Sequence, residues 1–223
     1  MRAVISKSYG EKQVFDTLDL RINEGETLCV MGASGVGKTT LLTILARQTD
    51  FVGELENVPE KVGYVFQEPR LLPALTVWLN MQYVGDGYEN TEELLRLAEL
   101  WEHRNKRPKM LSGGEKQRAA LVRAFGVESD LLLLDEPFSS LDIALKNKLY
   151  SVFCALMKKC NKTAVLVTHD LQDAWAIADR IIVLKDGKIA LDRTLQGEKP
   201  RSVSGGERIK EEIYRVLTGE SIR

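Results

Sequence analysis

The stretch Gly32-Ala33-Ser34-Gly35-Val36-Gly37-Lys38-Thr39 constrains this chain more than any other, because it fills every fixed position of G-x-x-x-x-G-K-[ST]. It follows the apolar run Thr27-Leu28-Cys29-Val30-Met31, which reads as a buried strand, and it opens into a helix-compatible stretch from Thr39 to Arg47. Each residue type has a physical reason. Glycines let backbone N–H groups gather close around an anion where a Cβ would obstruct them. A helix starting near Lys38 turns its positive end toward the same place. Lys38 adds a point charge for the β- and γ-phosphates of a nucleotide, and the Thr39 hydroxyl is a candidate ligand for Mg²⁺. Thr40 completes the expected binding set, so a nucleotide is the expected ligand.

A second feature sharpens this. Leu131-Leu132-Leu133-Leu134-Asp135-Glu136-Pro137 is an apolar run, expected to be a buried strand, that ends in two carboxylates. Beside a phosphate loop, Asp135 would hold Mg²⁺ directly or through a water. Glu136, one residue on, would accept a proton from an attacking water, a contribution of about 10²–10⁴ in rate.

The rest of the chain reads as alternating strands and helices, which predicts an α/β fold with a mostly parallel sheet covered on both faces. Residues 2–31 divide into short β segments with a turn at Asn23-Glu24-Gly25-Glu26. Val62 to Phe66 is another strand, and Gln67 to Met110 is helical in character, with an apolar face through Leu94, Leu95, Leu97, Ala98, Leu100 and Trp101. A helix is expected from Ile143 to Lys159, a strand from Ala164 to Val167, and a short helix after Thr168-His169-Asp170. Strands Arg180 to Leu184 and Lys188 to Leu191 flank the turn Lys185-Asp186-Gly187. These spans suggest one domain: a core with a β lobe over 1–66 and 111–195, an inserted helical lobe over 67–110, and a linker and final amphipathic helix over 196–223.

A chain of 223 residues buries enough surface to need no disulfides. Its three cysteines, Cys29, Cys154 and Cys160, stand at no metal-ligand spacing, which implies a reducing compartment, with Cys29 a buried small hydrophobe. A formal charge of −1 gives no reason to expect a non-specific binder of nucleic acid or anionic lipid. The N-terminus lacks an apolar signal core and no apolar run reaches the ~20 residues of a membrane helix, so any membrane role is expected to come through a partner.

Between the two motifs lies Leu111-Ser112-Gly113-Gly114-Glu115-Lys116-Gln117-Arg118. The serine and glycines open a helix continuing through Ala119 to Val122, which offers a second anion cradle. In this order the three motifs resemble the ABC ATPase family, whose signature is LSGGQ-like, with Glu115 in place of the commoner glutamine. The resemblance runs from Tyr9 to Asp192 and implies a P-loop NTPase fold of ABC type, with an antiparallel β lobe and an inserted helical lobe. It also implies that Ser112, Gly113 and Gly114 hold the γ-phosphate of ATP bound to the other subunit. By the same resemblance Gln67 contacts Mg²⁺ or the water, and Asp142 of Ser140-Leu141-Asp142 crosses to the opposing subunit. His169 touches the γ-phosphate, and Tyr9 stacks on adenine, an interaction worth roughly 1–3 kcal/mol. His103 matches no motif and is expected to be a solvated helix residue. Ser204-Gly205-Gly206-Glu207 repeats the signature core, but it follows Val203 and no acidic strand comes behind it, so it is expected to cap the final helix.

The segment Tyr64 to Pro73, with Leu75-Thr76-Val77-Trp78, is most similar to importer ATPases for nitrate, sulfonate and taurine. The resemblance therefore implies an ATPase working as a dimer, with itself or a homologous subunit, on the inner face of the cell membrane. Separate permease subunits and a solute-binding protein would complete the system, with no nucleic-acid partner. An exporter ATPase, a DNA- or ribosome-acting ABC ATPase and a regulatory nucleotide-binding module are the rival readings. The short stretch between Lys38 and Gln67 suggests a trimmed β lobe, and the helical lobe is also compact.

Overall fold

Side chains alternate between two cores along each central strand, and this alternation is what covers both faces of the main sheet. The computed structural model describes residues 1–84, 91–139, 141–202 and 205–218. Its strands are β1 (Arg2–Tyr9), β2 (Lys12–Arg21), β3 (Thr27–Gly32), β4 (Val52–Glu56), β5 (Gly63–Val65), β6 (Leu131–Asp135), β7 (Thr163–Val167), β8 (Arg180–Lys185) and β9 (Lys188–Thr194). In β3, Leu28 and Val30 enter one core while Cys29 and Met31 enter the other. β6 divides the same way, with Leu131 and Leu133 against Leu132 and Leu134.

Six strands form the larger sheet in the order β5-β6-β7-β3-β8-β9, parallel except for β9. A second sheet, β2-β1-β4, is antiparallel. Sequence reading had no strand at β4, because Val52, Gly53 and Glu54 are exposed and show no apolar alternation. Pairing to β1 makes it a strand: the Cβ of any other residue at position 53 would stand 2.0 Å from the Val4 carbonyl oxygen.

The helices are α1 (Lys38–Leu45), α2 (Val77–Gln82), α3 (Thr91–Leu97), α4 (Gly113–Phe125), α5 (Ile143–Cys160), α6 (Leu171–Ile177) and α7 (Glu207–Thr218). α1 packs in the core shared with the antiparallel sheet, whereas α4, α5 and α6 lie in the other. The stretch expected to be helical from Gln67 resolves into irregular chain with a turn at Pro73-Ala74 up to Thr76, then α2, α3 and two 3₁₀ turns, Trp101–His103 and Pro108–Met110. In α7, Ile213 is buried, and Lys185 Nζ donates to the Val216 carbonyl at 3.1 Å.

The expectation for His103 is corrected here. His103 is no solvated helix residue: it ends a 3₁₀ turn, its Nε2 lies 3.3 Å from Glu115 Oε1, and its Nδ1 is buried. The 3₁₀ turn brings the imidazole against the Glu115 carboxylate in the first turn of α4. In the second signature-like stretch, Val203 and Ser204 lie outside the described residues. Gly206 serves packing, because a Cβ there would meet the Trp175 ring at 2.4 Å. Cys29 is fully buried and, like Cys154 and Cys160, unbridged.

Candidate active site

The C-terminal ends of β3, β6 and β7 lie side by side, since β7 pairs with both others in parallel, and open α/β sheets gather ligands at such ends. After β3 the chain turns through Ala33 to Val36 into α1. Gly37 takes φ 111° at the helix N-cap, and a Cβ there would stand 2.5 Å from Val14 Cγ1. No side chain caps α1 and its first turn carries no acid, so its leading N–H groups are left to a ligand.

A cleft of about 320 Å³ opens over this loop, lined by Tyr9, Lys12, Val14, Ser34, Gly35, Gly37, Lys38, Thr39, Thr40 and Glu136. Lys38 is buried at its base, where Nζ donates to the carbonyls of Gly32 at 2.8 Å and Ala33 at 3.0 Å. Burial lowers its pKa, and the nearby Glu136 and Asp135 carboxylates oppose that shift. Tyr9 is half exposed at the rim, with the Lys7 ammonium 4.7 Å from its ring centroid.

Asp135 ends β6, and its Oδ1 accepts from the Thr39 hydroxyl at 3.4 Å. Burial raises the pKa of its carboxyl, against the pull of that hydrogen bond. Two hard oxygens at this spacing, one of them a carboxylate that burial disfavours when charged, fit a divalent cation such as Mg²⁺.

Glu136 follows with φ 46°, left-handed backbone that a non-glycine residue rarely adopts. Its N–H donates to the Val167 carbonyl at 2.9 Å, and its Oε2 lies 2.9 Å from Nδ1 of His169. The loops after β6 and β7 thus meet through these two side chains. Gln67 Nε2 donates to Ser139 Oγ at 3.3 Å, and that hydroxyl donates to the Glu136 carbonyl at 3.1 Å. Phe66 holds the approach to Gln67, stacked on Tyr64 at 4.3 Å and covered by Arg70 at 3.8 Å.

The remaining expected residues stand apart from this cleft. Ser112 is the N-cap of α4, accepting from the Glu115 N–H at 3.3 Å while its own N–H donates to Glu115 Oε2 at 2.7 Å. Gly113 and Gly114 begin that helix. Asp142 caps α5, with Oδ1 accepting from the Leu145 N–H at 2.9 Å. Ser140 lies outside the described residues. Gln117 ties α4 back to the loop after β6, since its Nε2 donates to the Pro137 carbonyl at 2.6 Å.

Sequence reasoning missed Lys12, Val14 and Ser139. The first was findable: a two-residue turn, Gly10-Glu11, sets Lys12 opposite Tyr9 in the β1–β2 register. Ser139 gives no signal beyond lying three residues after Glu136.

A phosphate loop opening a helix, with a histidine from the adjacent strand and acids from the strand beyond it, defines a P-loop nucleotide hydrolase. Residues 15–139 match the ABC transporter family, and the chain belongs to it. It is an ATP-binding subunit and an ATPase. The aliphatic sulfonates import ATP-binding protein SsuB 2 of Paracoccus denitrificans is 41% identical over 213 residues, covering 91% of this chain and 84% of that protein. Its namesake from Pseudomonas savastanoi pv. phaseolicola is 41% identical over 219 residues, covering 96% and 81%. The fold matches a dimeric structure of a bacterial ABC transporter cassette at a TM-score of 0.73 and 32% identity, covering 88% and 99% of the two chains. It also matches a post-hydrolysis state of such a cassette bound to ADP and Pi at 0.71 and 31%.

Proposed function

We propose that this chain powers an importer of small sulfonates, as a dimer docked on separate permease subunits at the inner face of a membrane and fed by a solute-binding protein. The observation that carries the hydrolytic part is the meeting of Glu136 and His169 at 2.9 Å beside the phosphate loop. Sulfonate import rests on the two relatives above, each matched over more than four-fifths of its length. Among the described residues no helix is long and apolar enough to cross a membrane, in keeping with transport through other chains.

Lys38 and the N–H groups at the start of α1 bind the phosphates, and Tyr9, with Val14 beside it, receives the base. Thr39 and Asp135, with Gln67, would hold Mg²⁺, which would neutralise charge on the phosphate oxygens. Glu136 takes the proton of the water whose oxygen bonds to the γ-phosphorus as the bond to ADP breaks. His169 fixes the Glu136 carboxylate and reaches the γ-phosphate. Ser112, Gly113 and Gly114 act on the nucleotide of the other copy, and Asp142 lies at the seam between copies. Two features support this pairing: the three signature residues do not line their own chain's cleft, and the related cassette was solved as a dimer. ATP then favours the closed pair over the open one, and that difference in affinity drives the transporter's change of shape.

The test is to isolate the chain with the integral-membrane and solute-binding proteins that accompany it, reconstitute the set in vesicles, and follow uptake of a labelled alkanesulfonate with Mg-ATP. ATP-dependent uptake that an unlabelled alkanesulfonate suppresses and an amino acid does not is the expected result. Recovery of the chain on nucleic acid alone, or uptake indifferent to sulfonates, would overturn the reading.

A further inference from the structure

Only three residues, Thr168, His169 and Asp170, connect the end of β7 to the start of α6. His169 is the exposed one, and both of its neighbours are tied down. The Thr168 hydroxyl donates to Asp173 Oδ2 at 2.9 Å and accepts from the Asp170 N–H at 3.0 Å. Asp170 caps α6 through the Gln172 N–H at 2.7 Å. Beneath them, Asp173 is fully buried on α6 and takes the phenol hydrogen of Tyr150. Lys146, one turn before Tyr150 on α5, reaches both acids: its Nζ lies 2.5 Å from Asp170 Oδ2 and 3.0 Å from Asp173 Oδ1.

We infer that Lys146 is a positioning residue for hydrolysis, clamping the His169 loop to α5 so that the imidazole stays against Glu136. The inference rests on the role proposed for His169. Charge balance favours it: burial raises the pKa of the Asp173 carboxyl, and Lys146 is the cation placed to keep it ionised. Connectivity favours it too, because both residues flanking His169 are held by side chains that converge on this ammonium. Lys146 also sits one turn into α5, its N–H bonded to the Asp142 carbonyl at 2.9 Å, so the clamp reaches the end of the helix proposed to face the second copy.

The experiment is steady-state ATP hydrolysis by the full chain carrying Lys146→Met, His169→Ala, or both, with Lys146→Arg as the conservative variant. Lys146→Met is expected to lower kcat by about tenfold or more, because misplacing a reacting group is costly. KM for ATP should stay within about twofold, since the phosphate loop is untouched. Lys146→Arg should recover most of the rate. In the His169→Ala background, Lys146→Met should subtract nothing further, the signature of two residues acting as one. A normal kcat in Lys146→Met, or additive losses in the double variant, would overturn the clamp while leaving His169's role intact. An unchanged kcat in His169→Ala would instead sink that role and the clamp with it. Should Lys146→Met fail to fold, Thr168→Val replaces it, with the same pattern expected and Thr168→Ser as its rescue.

Discussion

Two helices in this molecule begin with glycines and a hydroxyl-bearing residue, and they treat their N-termini in opposite ways. α1 starts with no side-chain cap and no acid in its first turn, so its positive end faces the cleft unanswered. α4 starts with a closed capping box in which Ser112 and Glu115 satisfy each other's N–H groups. The first end is built to be completed by an anion. The second is partly closed: the box answers the N–H groups of Ser112 and Glu115, while Gly113 and Gly114 between them head the helix. The Ser112 hydroxyl only accepts in that box and keeps its hydrogen for a phosphate from a second copy, whereas in the phosphate loop Lys38 starts bonded to the carbonyls of Gly32 and Ala33.

The largest effect belongs to the α1 side. Glu136→Gln should cut turnover by about 10²–10⁴-fold while the variant still binds ATP, checked by phosphate release against nucleotide retention on a filter. Rapid hydrolysis by this variant would move the base elsewhere and remove the functional reason for the strained backbone at 136.

The sharpest test of the contrast mixes two weakened proteins. Lys38→Ala and Ser112→Ala should each hydrolyse poorly alone. Mixed and allowed to exchange partners, random pairing leaves one intact composite site in half of the dimers, so on the order of a quarter of the wild-type rate should return. No recovery at any mixing ratio would mean that the two helix ends never share a nucleotide.

Smaller effects separate the rim from the base of the cleft. Tyr9→Ala should raise KM for ATP by roughly 5- to 150-fold, the worth of one base stack, while Tyr9→Phe stays near wild type. Equal losses in the two would show that the hydroxyl, and not the ring, makes the contact.

The smallest effect lies on the α4 side and depends on pH. The Ser112 N–H holds the Glu115 carboxyl below its ordinary pKa, with the Ser112 side chain and His103 helping. A depressed carboxylate stabilises the fold above its ordinary pKa, and that contribution drains away as pH falls through the depressed value. Glu115→Gln keeps the hydrogen-bonding shape but drops the charge, so Tm should fall by about 1–4 °C at neutral pH. The gap should close in acid. A gap constant across the pH range would assign the loss to packing.

Much of this was legible in the sequence because the informative segments are short and each carries its own physics. Loop, acidic strand and histidine announce a nucleotide site because glycine, lysine and carboxylate at those spacings suit little else. β4 stayed hidden because an exposed edge strand needs no apolar alternation, only a partner. Ser139 and Lys146 stayed hidden for a related reason: a lone hydroxyl or ammonium has meaning only through groups that folding brings to it, here Gln67 and Asp173. His103 was misread because a histidine after Trp101 and Glu102 looks solvated until the 3₁₀ turn carries it beneath Glu115.

The left-handed peptide at Glu136 bears on how this protein would respond to selection. Glycine or asparagine at position 136 would relax that backbone at little steric cost. A screen that rewards heat resistance alone should therefore harvest sluggish enzymes at this position, unless turnover is selected in the same round.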